Sequence, residues 1–97
     1  MFYQARILDP KEPPLEILRK FTVIPQRGGY YTICQLVLLE EAKAFIKNYV
    51  TKAYSEGLAD LLLLQLEKQL SESNNEYAYT EYDRIVSETL YITIEAE

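Results

Sequence analysis

Apolar and polar positions alternate with a period of two near both ends of this chain, and with a period near 3.6 through its middle. Tyr3, Ala5 and Ile7 share one parity within Phe2 to Leu8, which predicts a strand. Asp9 to Pro14 (DPKEPP) ends it, because three prolines in six residues remove donors and fix φ. Leu15 to Ile24 carries two signals. Pro13 and Pro14 can open a short helix through Lys20, since proline is tolerated in a first turn. Phe21 to Ile24 is instead rich in β-formers and stands directly before a turn, and the expectation is a strand from Arg19 to Ile24.

Pro25 to Gly29 (PQRGG) raises a choice between a phosphate-binding loop and a hairpin. A phosphate loop needs a helix N-terminus directly after its glycines, so that free N–H groups face the anion. Here Tyr30 to Leu38 (YYTICQLVL) follows, an aromatic and β-branched run that reads as a strand. A hairpin is therefore expected, with glycine supplying positive φ.

The clearest segment begins at Leu39. Ala42, Phe45, Ile46, Tyr49, Val50, Ala53 and Tyr54 recur at the spacing of one helix face, with Glu40 and Glu41 in the first turn and Gly57 as the expected stop. Leu58 to Leu70 predicts a second helix. Its four consecutive leucines, Leu61, Leu62, Leu63 and Leu64, advance about 100° each and so cover the whole circumference. A helix apolar on every side needs cover on every side, which motivates a homodimer meeting at these leucines. After the polar loop Ser71 to Glu76, the segment Tyr77 to Tyr82 fits either a strand or a helical turn carrying Tyr79, Tyr82 and Val86. Leu90, Ile92 and Ile94 alternate with Tyr91, Thr93 and Glu95 as a half-buried strand. The expected fold class is α+β in a single domain spanning all 97 residues. It has a small antiparallel sheet of an N-terminal strand, a β-hairpin and a C-terminal strand, with two consecutive helices packed on one face.

Charge changes this picture at the C-terminus. The formal net charge is −5, yet residues 1–35 carry +2, residues 36–70 carry −1 and residues 71–97 carry −6. The excess acid therefore sits in the last third, where it repels nucleic acid and favours basic partners. A nucleic-acid surface would need Arg6, Arg19, Lys20, Arg27, Lys43 and Lys47 to converge beside Tyr30 and Tyr31, and nucleic acid is not the expected partner. One cysteine and the absence of a signal-like N-terminus lead to the expectation of a reducing, cytoplasmic setting. Runs such as Leu61 to Leu64 are far too short to span a bilayer, so no membrane partner is expected.

Histidine is absent, which removes the commonest general base and metal ligand. With Cys34 as the single thiol, a structural zinc site lacks ligands, and no metal or other cofactor is expected. Glu81 and Asp83 share a strand parity, but a catalytic carboxylate pair needs a walled cleft to separate its pKa values. No enzyme activity is expected. The nine tyrosines point to contact surfaces instead, because the ring buries area while its hydroxyl finds a partner. Tyr77, Tyr79 and Tyr82 interleave with Glu81 and Asp83, which suggests docking on a protein partner with a basic surface, as an adaptor or inhibitor. The alternative expectation is a small-molecule or nucleotide pocket at a dimer seam, bound by Arg27, Tyr30 and Tyr31.

Overall fold

The computed structural model describes residues 1–85 and 88–97, so the expectation for Val86 lies outside the described residues. Eight elements follow in order: β1 (Tyr3–Asp9), α1 (Leu15–Lys20), β2 (Thr22–Gln26), β3 (Gly29–Val37), α2 (Leu39–Ala53), α3 (Glu56–Glu72), β4 (Tyr77–Ile85) and β5 (Glu88–Ala96). The strands form one antiparallel sheet in the order β2-β3-β1-β5-β4. The α+β class, the hairpin and the two consecutive helices agree with the sequence pattern.

Three boundaries differ from it. Arg19 and Lys20 are helical, because Pro14 caps α1 and its carbonyl accepts from the backbone N–H groups of Ile17 and Leu18. The strand starts only at Thr22. Gly57 does not stop α2. That helix ends at Ala53, and Ser55 opens α3 by accepting from the Leu58 N–H at 3.1 Å, which leaves Gly57 in the first turn. Tyr77 to Ile85 is a strand, so the sheet has a fifth member at its edge.

The core lies between one sheet face and the helices. Tyr3, Ala5 and Ile7 of β1 and Leu90, Ile92 and Ile94 of β5 meet Ile17 of α1, Phe45, Ile46, Tyr49 and Val50 of α2, and Leu62, Leu66 and Leu70 of α3. The predicted α2 stripe is the buried one. The α3 leucines divide differently from the all-round burial inferred from their spacing. Leu62 is buried in the chain's own core and Leu63 packs against it, while Leu61 and Leu64 stand 52% and 67% exposed. Lys47 and Lys43 tie α2 to α3 through Asp60 at 2.8 Å and Glu67 at 3.7 Å. These pairs stand largely in solvent and contribute little to stability.

The hairpin turns at Arg27 and Gly28, and Gly28 adopts φ 85°. Gly29 meets a different constraint. A Cβ there would stand 2.4 Å from the Asp9 carbonyl oxygen, so only glycine lets β3 start against the end of β1.

Asp9 itself is fully buried. Its carboxylate accepts hydrogen bonds from the Tyr49 hydroxyl at 2.7 Å, the Tyr54 hydroxyl at 2.8 Å and the Lys11 backbone N–H at 3.0 Å. Three donors replace the water that the carboxylate loses. Burial first, and then the adjacent carboxylate, push both phenols well above the usual tyrosine range. Lys11 adds a cap by donating to the Ala53 carbonyl while its ammonium sits 4.1 Å from the Tyr54 ring centre. One buried acid thereby fastens the end of β1 to the C-terminal turn of α2.

Candidate functional site: the open sheet face

All three helices pack on one side of the sheet, and the strand register fixes what the other side carries. Side chains alternate between faces, so Gln4, Arg6 and Leu8 point away from the core. Cross-strand pairing then lays out rows on this uncovered face. One row runs Ile24, Tyr31, Leu8, Tyr91, Glu81 from β2 to β4. The next runs Thr22, Ile33, Arg6, Thr93, Tyr79. A third holds Gln4, Glu95 and Tyr77. Ile24, Tyr77 and Tyr91 are 44%, 47% and 38% exposed, so aromatic and aliphatic area meets solvent across the width of the sheet.

Of the tyrosine-rich segment singled out in the sequence, Tyr77, Tyr79, Glu81 and Asp83 share this face. Tyr82 does not. Strand periodicity turns it toward the helices, where its ring meets Tyr54 edge-to-face at 6.2 Å. Tyr79 and Tyr91 lie ring beside ring at 6.2 Å, and the Tyr79 hydroxyl donates to Glu81 at 2.7 Å. That hydrogen bond, more than burial, pushes the Tyr79 phenol up to about 12. Asp83 accepts from the Thr89 hydroxyl at 2.8 Å. Glu81, Asp83 and Glu95 are all exposed, the setting of solvated charges.

The free edge of β4 is partly closed. Gln69 of α3 accepts from the Tyr79 N–H at 2.8 Å and donates to the Tyr79 carbonyl, while Ser73 makes the same two-way contact with Tyr77. These side chains stand where another strand would pair.

Arg6 was read in the sequence only as one of six dispersed cations. It stands in the middle strand of the open face. One guanidinium nitrogen donates to Gln4 at 2.8 Å, its Nε is buried without an acceptor, and among the described residues no carboxylate lies within 4.0 Å. The signal in the sequence was a lone arginine at an alternating position of a strand that later proved central. The six cations do not converge, since Lys43 and Lys47 are on α2 and tied to α3.

Arg27, Tyr30 and Tyr31 do not form one pocket within the chain. Tyr30 and Tyr31 are successive strand residues facing opposite sides, and Arg27 sits in the turn beyond them. An open hollow of about 530 Å³ at the start of β2 is lined by Lys20, Phe21, Thr22, Ile24, Ile33, Cys34 and Gln35 and by none of those three. Burial, and secondarily Glu41, push the Cys34 thiol up, which disfavours the reactive thiolate. Among the described residues, no group of three or more His, Cys, Asp or Glu side chains is arranged to hold a metal ion, and no helix is long and apolar enough to cross a membrane. Comparison with protein families, curated proteins and solved structures found no match to this chain.

Proposed function

We propose that this chain is a small, non-enzymatic protein-binding module whose contact surface is the open sheet face, centred on its C-terminal hairpin. The observation that carries this reading is the placement of Tyr77, Tyr79, Glu81 and Asp83 on one uncovered face, beside Tyr91 and Glu95 of the neighbouring strand. Flat tyrosine area supplies the buried part of such a contact, and the flanking carboxylates take cations from the partner. A role as adaptor or inhibitor follows, because the surface masks what it covers and has no walled site in which to transform it.

The test is partner capture on immobilised chain from its own host, compared with Tyr79→Ala combined with Glu81→Lys. Both positions lie on the open face of an edge strand, so the variant is expected to fold with an unchanged circular dichroism spectrum and to lose the specific partner. Retention of that partner by the folded variant refutes the reading.

A further inference from the structure

The open face sets a condition on whatever covers it, because it carries both signs of charge. A uniformly basic partner suits Glu81 and Asp83 but brings like charge to Arg6. A uniformly acidic one suits Arg6 but repels the β4 side. The occupant must present an acid near Arg6 and a cation near the Asp83 end of β4, with apolar area between.

This face meets that condition itself. We propose that the open sheet face is where two copies of this chain meet, about a twofold axis running along the strands between β1 and β5, so that Glu95 of each copy lies over Gln4 of the other, one row from its Arg6. The inference rests on the reading of this face as a protein-docking surface and names its occupant. Rotation about such an axis reverses the strand order while keeping each row level. It lays β5 of one copy over β1 of the other, and β3 of one over β4 of the other. Glu95 then lies one row from Arg6, as the pairings of Arg6 with Thr93 and of Gln4 with Glu95 require. Gly29 pairs with Gln26 at the level of the Asp9–Tyr30 end of the sheet, and Asp83 pairs with Thr89 at the corresponding end of β4. The twofold therefore brings the Arg27 turn of one copy to the Asp83 end of the other. Ile33 and Leu8 of one copy cover Tyr79 and Tyr91 of the other, and Tyr31 lies over Glu81 with its hydroxyl as a donor.

Four strands overlap in this arrangement, with β2 lying beyond β4. Four strands about 4.8 Å apart and some seven residues long at about 3.3 Å each give a contact of roughly 440 Å² in projection, more once its relief is counted. A standard interface buries about 800 Å² per partner, so this one belongs to the small class. The leucines on α3 offer much less, since only Leu61 and Leu64 are exposed there. Sheets packed face to face with roughly aligned strands are a common solution, and their strand directions differ by about 30°. An isologous contact also uses each ion pair twice, so a single charge change acts at two places.

The experiment is sedimentation equilibrium on the full chain and three variants at roughly 50 µM, a concentration that fills a dimer of micromolar Kd. Wild type is expected at twice the 11.3 kDa chain mass. Arg6→Glu and Glu95→Arg should each shift the equilibrium toward monomer, with Kd raised at least tenfold. An equimolar mixture of the two should restore a dimer containing one of each, because every Glu then has an Arg one row away across the seam. Leu61→Glu should remain dimeric. Glu95 is exposed, so Glu95→Arg keeps the test valid if Arg6→Glu is poorly folded by circular dichroism. A wild-type monomer overturns the proposal, as does a dimer that ignores both charge changes and is broken by Leu61→Glu. A monomer that still captures a partner, and loses it with Tyr79→Ala and Glu81→Lys, overturns the self-association while leaving the docking function standing.

Discussion

Removing a single oxygen atom tests the buried network at the end of β1. Tyr49→Phe keeps the ring, its edge-to-face contact with Phe45 at 6.4 Å and its place in the core, and deletes the donor to the Asp9 Oδ2 atom at 2.7 Å. Asp9 is fully buried, and its other two donors both reach Oδ1. The substitution thus leaves one oxygen of a buried carboxylate without a donor. A hydrogen bond to a charged group is worth about 1.5–3 kcal/mol net, and the loss should lie at the upper end because water cannot enter. For a chain of this length, with a stability of about 5–15 kcal/mol, that is a large fraction. At about 4–8 °C per kcal/mol the melting temperature should fall by about 10–20 °C. Tyr54→Phe removes a similar bond from a half-buried position, where water can substitute, and should cost about 1 kcal/mol. Equilibrium urea unfolding of both variants, with m unchanged, measures the difference. A Tyr49→Phe loss below about 0.5 kcal/mol, or one no larger than that of Tyr54→Phe, refutes the account.

The same network predicts how stability depends on alkaline pH. Both phenols are held above the ordinary tyrosine value in the folded chain, so the folded state favours their protonated forms. Their contribution is fully present below about pH 10, the unfolded tyrosine value, and is lost progressively as pH rises above it. Stability measured between pH 9 and 11 should fall more steeply for wild type than for Tyr49→Phe. Equal slopes would contradict the raised phenol.

Three other substitutions probe what positions the open face. Gly29→Ala would place its Cβ 2.4 Å from a backbone oxygen, so it should cost about 3 kcal/mol, whereas Gly28→Ala meets no atom and should cost about 1 kcal/mol for its φ of 85°. Urea unfolding that finds the two equal removes the close approach of β3 to Asp9 from the argument. Gln69→Ala should cost about 1 kcal/mol and lower the onset of light scattering on heating, because it uncovers the N–H and carbonyl of Tyr79 at the sheet edge. Unchanged stability and scattering would show that the edge needs no such cover.

Much of the secondary structure is legible locally. The α2 stripe, the hairpin at Arg27 and Gly28, and the alternation of β5 all follow from which side of an element each residue faces, a property fixed within a few positions. Local signals also competed, and the sequence pattern ranked some of them wrongly. Pro14 prevailed over the β-formers at Arg19 and Lys20, and Ser55 as a cap prevailed over Gly57 as a stop.

Other features depend on partners distant in the chain. Asp9 reads as a turn residue before proline, yet its two tyrosine donors lie 40 and 45 positions away, and nothing nearby marks it as buried. Tyr82 belongs with Tyr79 if the segment is a helical turn and opposite it if the segment is a strand, a choice made by pairing with β5. Arg6 is unremarkable until β1 becomes the middle strand, with β3 on one side and β5 on the other. The sequence by itself determined which side chains each element presents together, because backbone periodicity is local. Only the tertiary structure decided which of those faces the helices cover and which one they leave open, because strand order and layer packing are set by contacts between residues far apart in the chain.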